Sequence, residues 1–215
     1  MKKYLFNKLS LFNKFKPNSE NSILSIFLDK KCLFFHIPKT AGVSISRSLF
    51  GDIKWGHRNV KFYKLHYGEK VFNSLYKFCF VRNPYKRLYS AYTFLKQGGI
   101  NNQDLSFSKS HLQEYKSFNE FVLKGLEKEE IMNWVHFKPQ YTFVCDENDN
   151  IVMDFVGKIE TLNKDFNTIC NHLNIEAELQ NLNIGTVKKN NFSEEIKTII
   201  KLKYQKDFNL FYPDL

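Results

Sequence analysis

Two short apolar runs, each closed by a proline and followed by helical periodicity, constrain this chain more than any other feature. Cys32 to Ile37 (CLFFHI) ends at Pro38, and Phe78 to Val81 (FCFV) precedes Pro84. Continuous runs of this length read as strands buried on both faces, because no polar alternation marks a solvent side. Val43–Phe50 follows the first run as a helix-length segment stopped by Gly51. After the second run, Leu88, Tyr89, Tyr92 and Leu95 recur at helical spacing before Gly98 and Gly99. Strand, loop, helix, repeated, is the alternation of an α/β fold with a central parallel β-sheet and helices on both faces. Ligands of such sheets bind where loops leave the carboxyl ends of strands, which directs attention to the loops after Ile37 and Val81.

The remainder of the 215 residues fits one domain. Residues 1–30 read as a basic N-terminal extension and 31–215 as the domain itself. Lys2 to Lys16 has its apolar residues interrupted by Asn and Lys, without a cleavage site, and suits a solvated extension, or a basic stretch on a membrane surface, better than a signal peptide. Residues 100–116 are polar enough for a surface loop, 118–126 suggests a helix, and 147–150 a turn between two short strands. Two more helices are expected over 161–173 and 193–204, the second opened by Ser193. Four cysteines, Cys32, Cys79, Cys145 and Cys170, form no CxxC pair. That argues against a zinc site or a disulfide framework and for a reducing, cytoplasmic setting. The formal charge of +10, from 32 Lys and Arg against 22 Asp and Glu, favours a polyanionic ligand: a phosphorylated cofactor, an acidic glycan, nucleic acid or an anionic membrane.

The two loops narrow that choice. Residues 36–44 read HIPKTAGVS. Thr40, Ala41 and Gly42 let the backbone curl so that consecutive N–H groups and a helix N-terminus face one point, which suits an anion. Lys39 adds a cation beside it. The lysine precedes the glycine, so this is not the nucleoside-triphosphatase pattern. Residues 80–92 read FVRNPYKRLYSAY. Arg82 leaves a strand end and Ser90 follows eight residues later on a helix, so a forked cation and a hydroxyl can converge on one phosphate. Arg87 suits a structural role better than a ligand.

In order on two strand ends, these segments resemble the sulfotransferases that use 3′-phosphoadenosine 5′-phosphosulfate (PAPS), in particular the carbohydrate branch and its bacterial relatives. The family loop PKTAGTS is matched by Pro38-Lys39-Thr40-Ala41-Gly42-Val43-Ser44, with Val43 in place of threonine, and RNPxxRxxSxY is intact from Arg82 to Tyr92. A weaker likeness runs through ENDNIVMDFVGKIETLNKDF to the C-terminal KDFNLF, so that roughly residues 32–212 are covered. The resemblance implies a P-loop-like α/β domain in which residues 39–44 wrap the 5′-phosphosulfate and Arg82 and Ser90 hold the 3′-phosphate. It also implies sulfuryl transfer to a hydroxyl, with a carbohydrate or glycan acceptor and no metal.

In-line displacement at sulfur needs a base for the acceptor, donors for the spreading charge and a cation near the departing phosphate. Lys39 suits the last two roles. Among the histidines, His57 opens HRNVKFYKL, which resembles the heparan 2-O-sulfotransferase segment carrying the general base. His66 is second, His136 is a candidate acceptor contact, and His36 packs beside the loop. Gly185 to Lys189 reads as a basic flap over the nucleotide. The alternative, a P-loop kinase, needs Mg²⁺ and a Ser/Thr–Asp pair to hold it, and no such pair is evident. A non-catalytic polyanion binder is the other alternative, but no nucleic-acid module is present, and the aromatics follow core periodicity.

Overall fold

The computed structural model describes residues 23–53, 56–180 and 192–215. Helix α1 (Ile23–Asp29) leads into β1 (Cys32–Phe35), and α2 (Gly42–Phe50) follows the first loop. Helices α3 (Val60–Tyr67) and α4 (Glu69–Ser74) come next, then β2 (Tyr76–Val81), α5 (Pro84–Lys96) and α6 (Asn102–His111). The short α7 (Phe118–Glu120) passes into a π-helical turn (Phe121–Gly125), followed by α8 (Glu129–Met132) and α9 (Tyr141–Val144). Strand β3 (Phe155–Lys158) and helices α10 (Leu162–Leu173), α11 (Glu194–Lys203) and α12 (Gln205–Phe211) complete the chain.

The three strands are parallel and ordered β1-β2-β3, with Phe34 opposite Phe78 and Phe78 opposite Phe155. Successive strand residues point to opposite faces. Every residue of β1, and Phe78 to Val81 of β2, has no exposed surface, so both faces of the sheet are covered. This is the α/β architecture expected from the two apolar runs. Cys32 and Cys79 lie in these strands as small core residues.

Three expectations are corrected. Residues 100–116 are not a surface loop: α6 forms there because the Asn101 side chain accepts from Asp104 N, and Phe107 stacks on Trp134 at 4.2 Å. The turn at 147–150 is held by Asp146, whose Oδ1 accepts from Asn148 and Asn150, and its flanks meet in a single antiparallel bridge, Cys145 to Ile151, rather than in two strands. The folded domain also begins before residue 31, since Phe27 on α1 is fully buried against the Phe50 and Tyr63 rings. Lys2 to Lys16 and Gly185 to Lys189 lie outside the described residues. Among those described, no helix is long and apolar enough to cross a membrane.

Candidate active site

The loop after β1 is tightly shaped. Lys39 (φ 69°) and Ala41 (φ 57°) both adopt left-handed backbone conformations, a cost that a non-glycine residue bears only where the surroundings enforce it. Thr40 is buried and donates through Oγ1 to Ile37 O at 2.9 Å, so its hydroxyl is spent on closing the turn. Helix α2 then starts at Gly42 with Ala41 at its N-cap, and no side chain caps it. The first N–H groups of a helix have no intrahelical acceptor, and an alanine N-cap offers them no side-chain oxygen. Gly42 is required by packing: a Cβ there would sit 1.8 Å from the His36 ring. Val43 is exposed, so its contribution to an anion site is its backbone N–H.

The loop after β2 is fastened to the first. Arg82 donates through Nη1 to Lys39 O at 3.3 Å. Its backbone is clamped by Gln140, which accepts from Arg82 N and donates to Arg82 O, both at 2.9 Å. Gln140 and Tyr141 in turn donate their backbone N–H groups to the buried Asp207 carboxylate. Asn83 caps α5 through Lys86 N, with Pro84 in the first turn. Arg87 is buried and donates to the carbonyls of Pro38, His136 and Lys138. It is a staple between loops, the structural role expected of it. Along α5, Arg87, Ser90 and Phe94 share one face by their three- and four-residue spacing. Arg87 holds Pro38 at one end of that face, and Phe94 lies 3.8 Å beneath the Lys39 ammonium at the other. Ser90 therefore faces the loop from between them.

Lys39 is pushed down to about 8 by burial and by the nearby Arg82, with Asp104 opposing. His57 Nδ1 lies 2.7 Å from His36 O. A carbonyl only accepts, so Nδ1 carries the proton and Nε2 keeps its lone pair. Burial lowers the His57 pKa below the ordinary histidine value, assisted by Arg87, Lys39 and Arg58. The His57 ring is 4.4 Å from His36 and 5.6 Å from His136. His66 is set apart: it stacks on Phe62 and meets Tyr67 edge-on, both in α3, and burial alone lowers its pKa. The structure thus brings Lys39 to Ser44, Arg82, Ser90 and His57 to one end of the sheet, together with His36 and His136.

His57 also opens onto a groove of about 500 Å³, whose walls include Arg58, Asn59, Phe62, Lys138 and Tyr141. Arg58 lies over the Phe62 ring at 4.8 Å. Sequence reading missed the groove residues and Asp104. The signal for Asp104 was Gly98-Gly99 followed by the capping pair Asn101 and Asp104, a helix start inside an apparently polar loop. Among the described residues, no group of three or more His, Cys, Asp or Glu is placed to hold a metal ion.

This geometry defines an α/β domain with a strand–loop–helix turn beside a groove that His57 lines. The model of the sulfotransferase family matches residues 24–213, and the chain belongs to that family. It is accordingly a transferase of sulfuryl groups. An uncharacterized protein of Archaeoglobus fulgidus is 29% identical over 128 residues, which is 58% of this chain and 88% of that one. No solved structure gives a significant match.

Proposed function

We propose that this enzyme takes its sulfuryl group from PAPS and passes it to a hydroxyl of a carbohydrate acceptor, with His57 as general base. The observation that carries this reading is the link between the loops, Arg82 Nη1 to Lys39 O, which sets a forked cation and an uncapped helix start around one space. Two separate phosphate groups on one nucleotide fit that arrangement. Residues 39–44 would hold the 5′-phosphosulfate through backbone N–H groups and the Lys39 ammonium, and Arg82 with Ser90 would hold the 3′-phosphate. Lys39 would steady the charge that gathers on the departing phosphate oxygen. His57, protonated on Nδ1, would take the acceptor proton at Nε2.

The groove beside His57 supports the acceptor class. Its volume is in the range of small-ligand sites, and Arg58 and Lys138 among its walls suit an acidic substituent on a sugar. The core thiols Cys32 and Cys79 suit a reducing, cytoplasmic setting.

Thermal unfolding with added nucleotide tests the donor. Adenosine 3′,5′-bisphosphate should raise Tm equally with and without a chelator, and ATP–Mg²⁺ should do far less. A larger shift with ATP that requires Mg²⁺ favours a kinase instead.

A further inference from the structure

A second pair of buried ionisable groups lies against Lys39 and His57. Asp104 is 2% exposed and His136 7%, and His136 Nε2 is 3.2 Å from Asp104 Oδ1. The carboxylate is built into place. Its Oδ2 accepts from Ile100 N at 3.3 Å and from Asn101 Nδ2 at 3.1 Å. Gly99, at φ 69°, has no Cβ because one would lie 2.1 Å from that of Asp104. The His136 ring sits between Phe94 at 5.1 Å and His57 at 5.6 Å. Its Nδ1 is shielded from solvent and has no hydrogen-bond partner.

Burying a carboxylate beside an anion-binding loop works against the ligand and costs several kcal/mol unless the charge is compensated. Such a group needs a compensating use. The charged and titratable groups acting on Lys39, His57 and His136 are Arg58, Arg82, Arg87, His36 and Asp104, of which Asp104 is the acidic one. A base that becomes cationic beside Arg87, Lys39 and Arg58 gains from one nearby negative charge.

We propose that Asp104 and His136 form a positioning dyad for the transfer. Asp104 accepts the His136 Nε2–H, which fixes the tautomer and leaves Nδ1 as a lone-pair acceptor beside His57. Asp104 also keeps the neighbouring Lys39 ammonium charged. Burial holds His136 neutral, pushed down to about 3, so its contact with Asp104 is a hydrogen bond to a carboxylate. The dyad cannot itself be the base, because Nδ1 is sealed from the groove that His57 lines. When His57 takes the acceptor proton at Nε2, the imidazolium lies 5.6 Å from the neutral His136 ring, with the Asp104 charge behind that ring. No bond beyond that proton transfer is made or broken by the dyad.

This inference rests on the reading of the site as a PAPS-dependent transferase with His57 as base. Ring ¹⁵N–¹H correlation spectra of the free protein test the dyad without turnover. The wild type should show His136 protonated at Nε2 and bare at Nδ1 from about pH 6 to 9, on either side of the ordinary histidine range. In Asp104→Asn that single tautomer should be lost and the Lys39 titration should move to lower pH. In His136→Gln, which retains a donor for Asp104, the Lys39 titration should stay. Both variants should bind adenosine 3′,5′-bisphosphate at pH 6.5 within roughly threefold of wild type, a change under 1 kcal/mol. Single-turnover transfer from ³⁵S-labelled PAPS to a uronic-acid polysaccharide should fall roughly 10–100-fold in each, the scale of losing a carboxylate that orients a working histidine. A wild-type His136 protonated on Nδ1, or an Asp104→Asn enzyme with unchanged Lys39 titration and transfer rate, overturns the dyad. Failure of the wild type to release sulfuryl groups from PAPS to polysaccharide or water overturns instead the reading beneath it.

Discussion

His57 is tied to His36 by a hydrogen bond of 2.7 Å from its Nδ1 to the backbone carbonyl. The two residues are 21 positions apart, and the bond crosses from the segment before α3 to the first residue after β1. The His36 ring stacks on Phe34 at 6.0 Å and fills the space that a Cβ on Gly42 would need. One histidine therefore sets both the tautomer of the proposed base and the closeness of α2 to β1.

That coupling is open to a direct test. Gly42→Ala must displace the His36 ring, and overpacking of this kind costs about 1–3 kcal/mol. Denaturant unfolding should read that loss, and calorimetry should show weaker binding of adenosine 3′,5′-bisphosphate. Unchanged stability and affinity would mean that the ring moves freely, and that Gly42 is not set by packing.

The second motif has its own signature. Arg82→Ala should weaken that nucleotide by about 2–4 kcal/mol, through loss of a buried charge-assisted contact. Ser90→Ala should cost about 1 kcal/mol, the scale of one hydrogen bond. Both losses should vanish with the analogue lacking the 3′-phosphate. Equal losses on that analogue would show that these residues hold the fold instead.

Much of this site was legible because its chemistry lies on strand ends. CLFFHI and FCFV needed only their apolar continuity to be read as buried strands, and the residues flanking each proline then fell at the carboxyl end of the sheet. What stayed hidden was set by distant partners. Nothing local says that Asp207 holds Gln140, or that Gln140 clamps the end of β2. Residues 100–116 read as loop because their polarity masked one buried face, Asp104, Phe107 and Ser108, whose partners come from another part of the chain. The single bridge at Cys145 and Ile151 was overread as two strands, since turn residues reveal a reversal but not how far pairing extends.

Lys39 gives a pH dependence with a definite sign. Burial lowers its pKa to about 8 in the free enzyme, so its positive charge is present below that pH and lost as pH rises. Affinity for adenosine 3′,5′-bisphosphate should fall with pH across that value. One unit above the pKa the ammonium fraction is roughly a tenth, which bounds the loss at about tenfold. Lys39→Arg, charged throughout, should flatten the curve. Folding stability should run the other way, because between about 8 and 10.5 the unfolded chain binds the proton that the native lysine releases. An affinity flat through this range would remove Lys39 from the phosphate site.

The central claim is that His57 takes the acceptor proton while Lys39 handles the donor, and single-turnover ³⁵S transfer alongside nucleotide titration separates the two roles. His57→Ala should bind adenosine 3′,5′-bisphosphate within about twofold of wild type and lose roughly 10²–10⁴ in transfer rate, the worth of a positioned base. Lys39→Ala should lose both affinity and rate. His66→Ala, on the far side of Phe62, should transfer near the wild-type rate. Normal transfer by His57→Ala together with a dead His66→Ala would contradict the account.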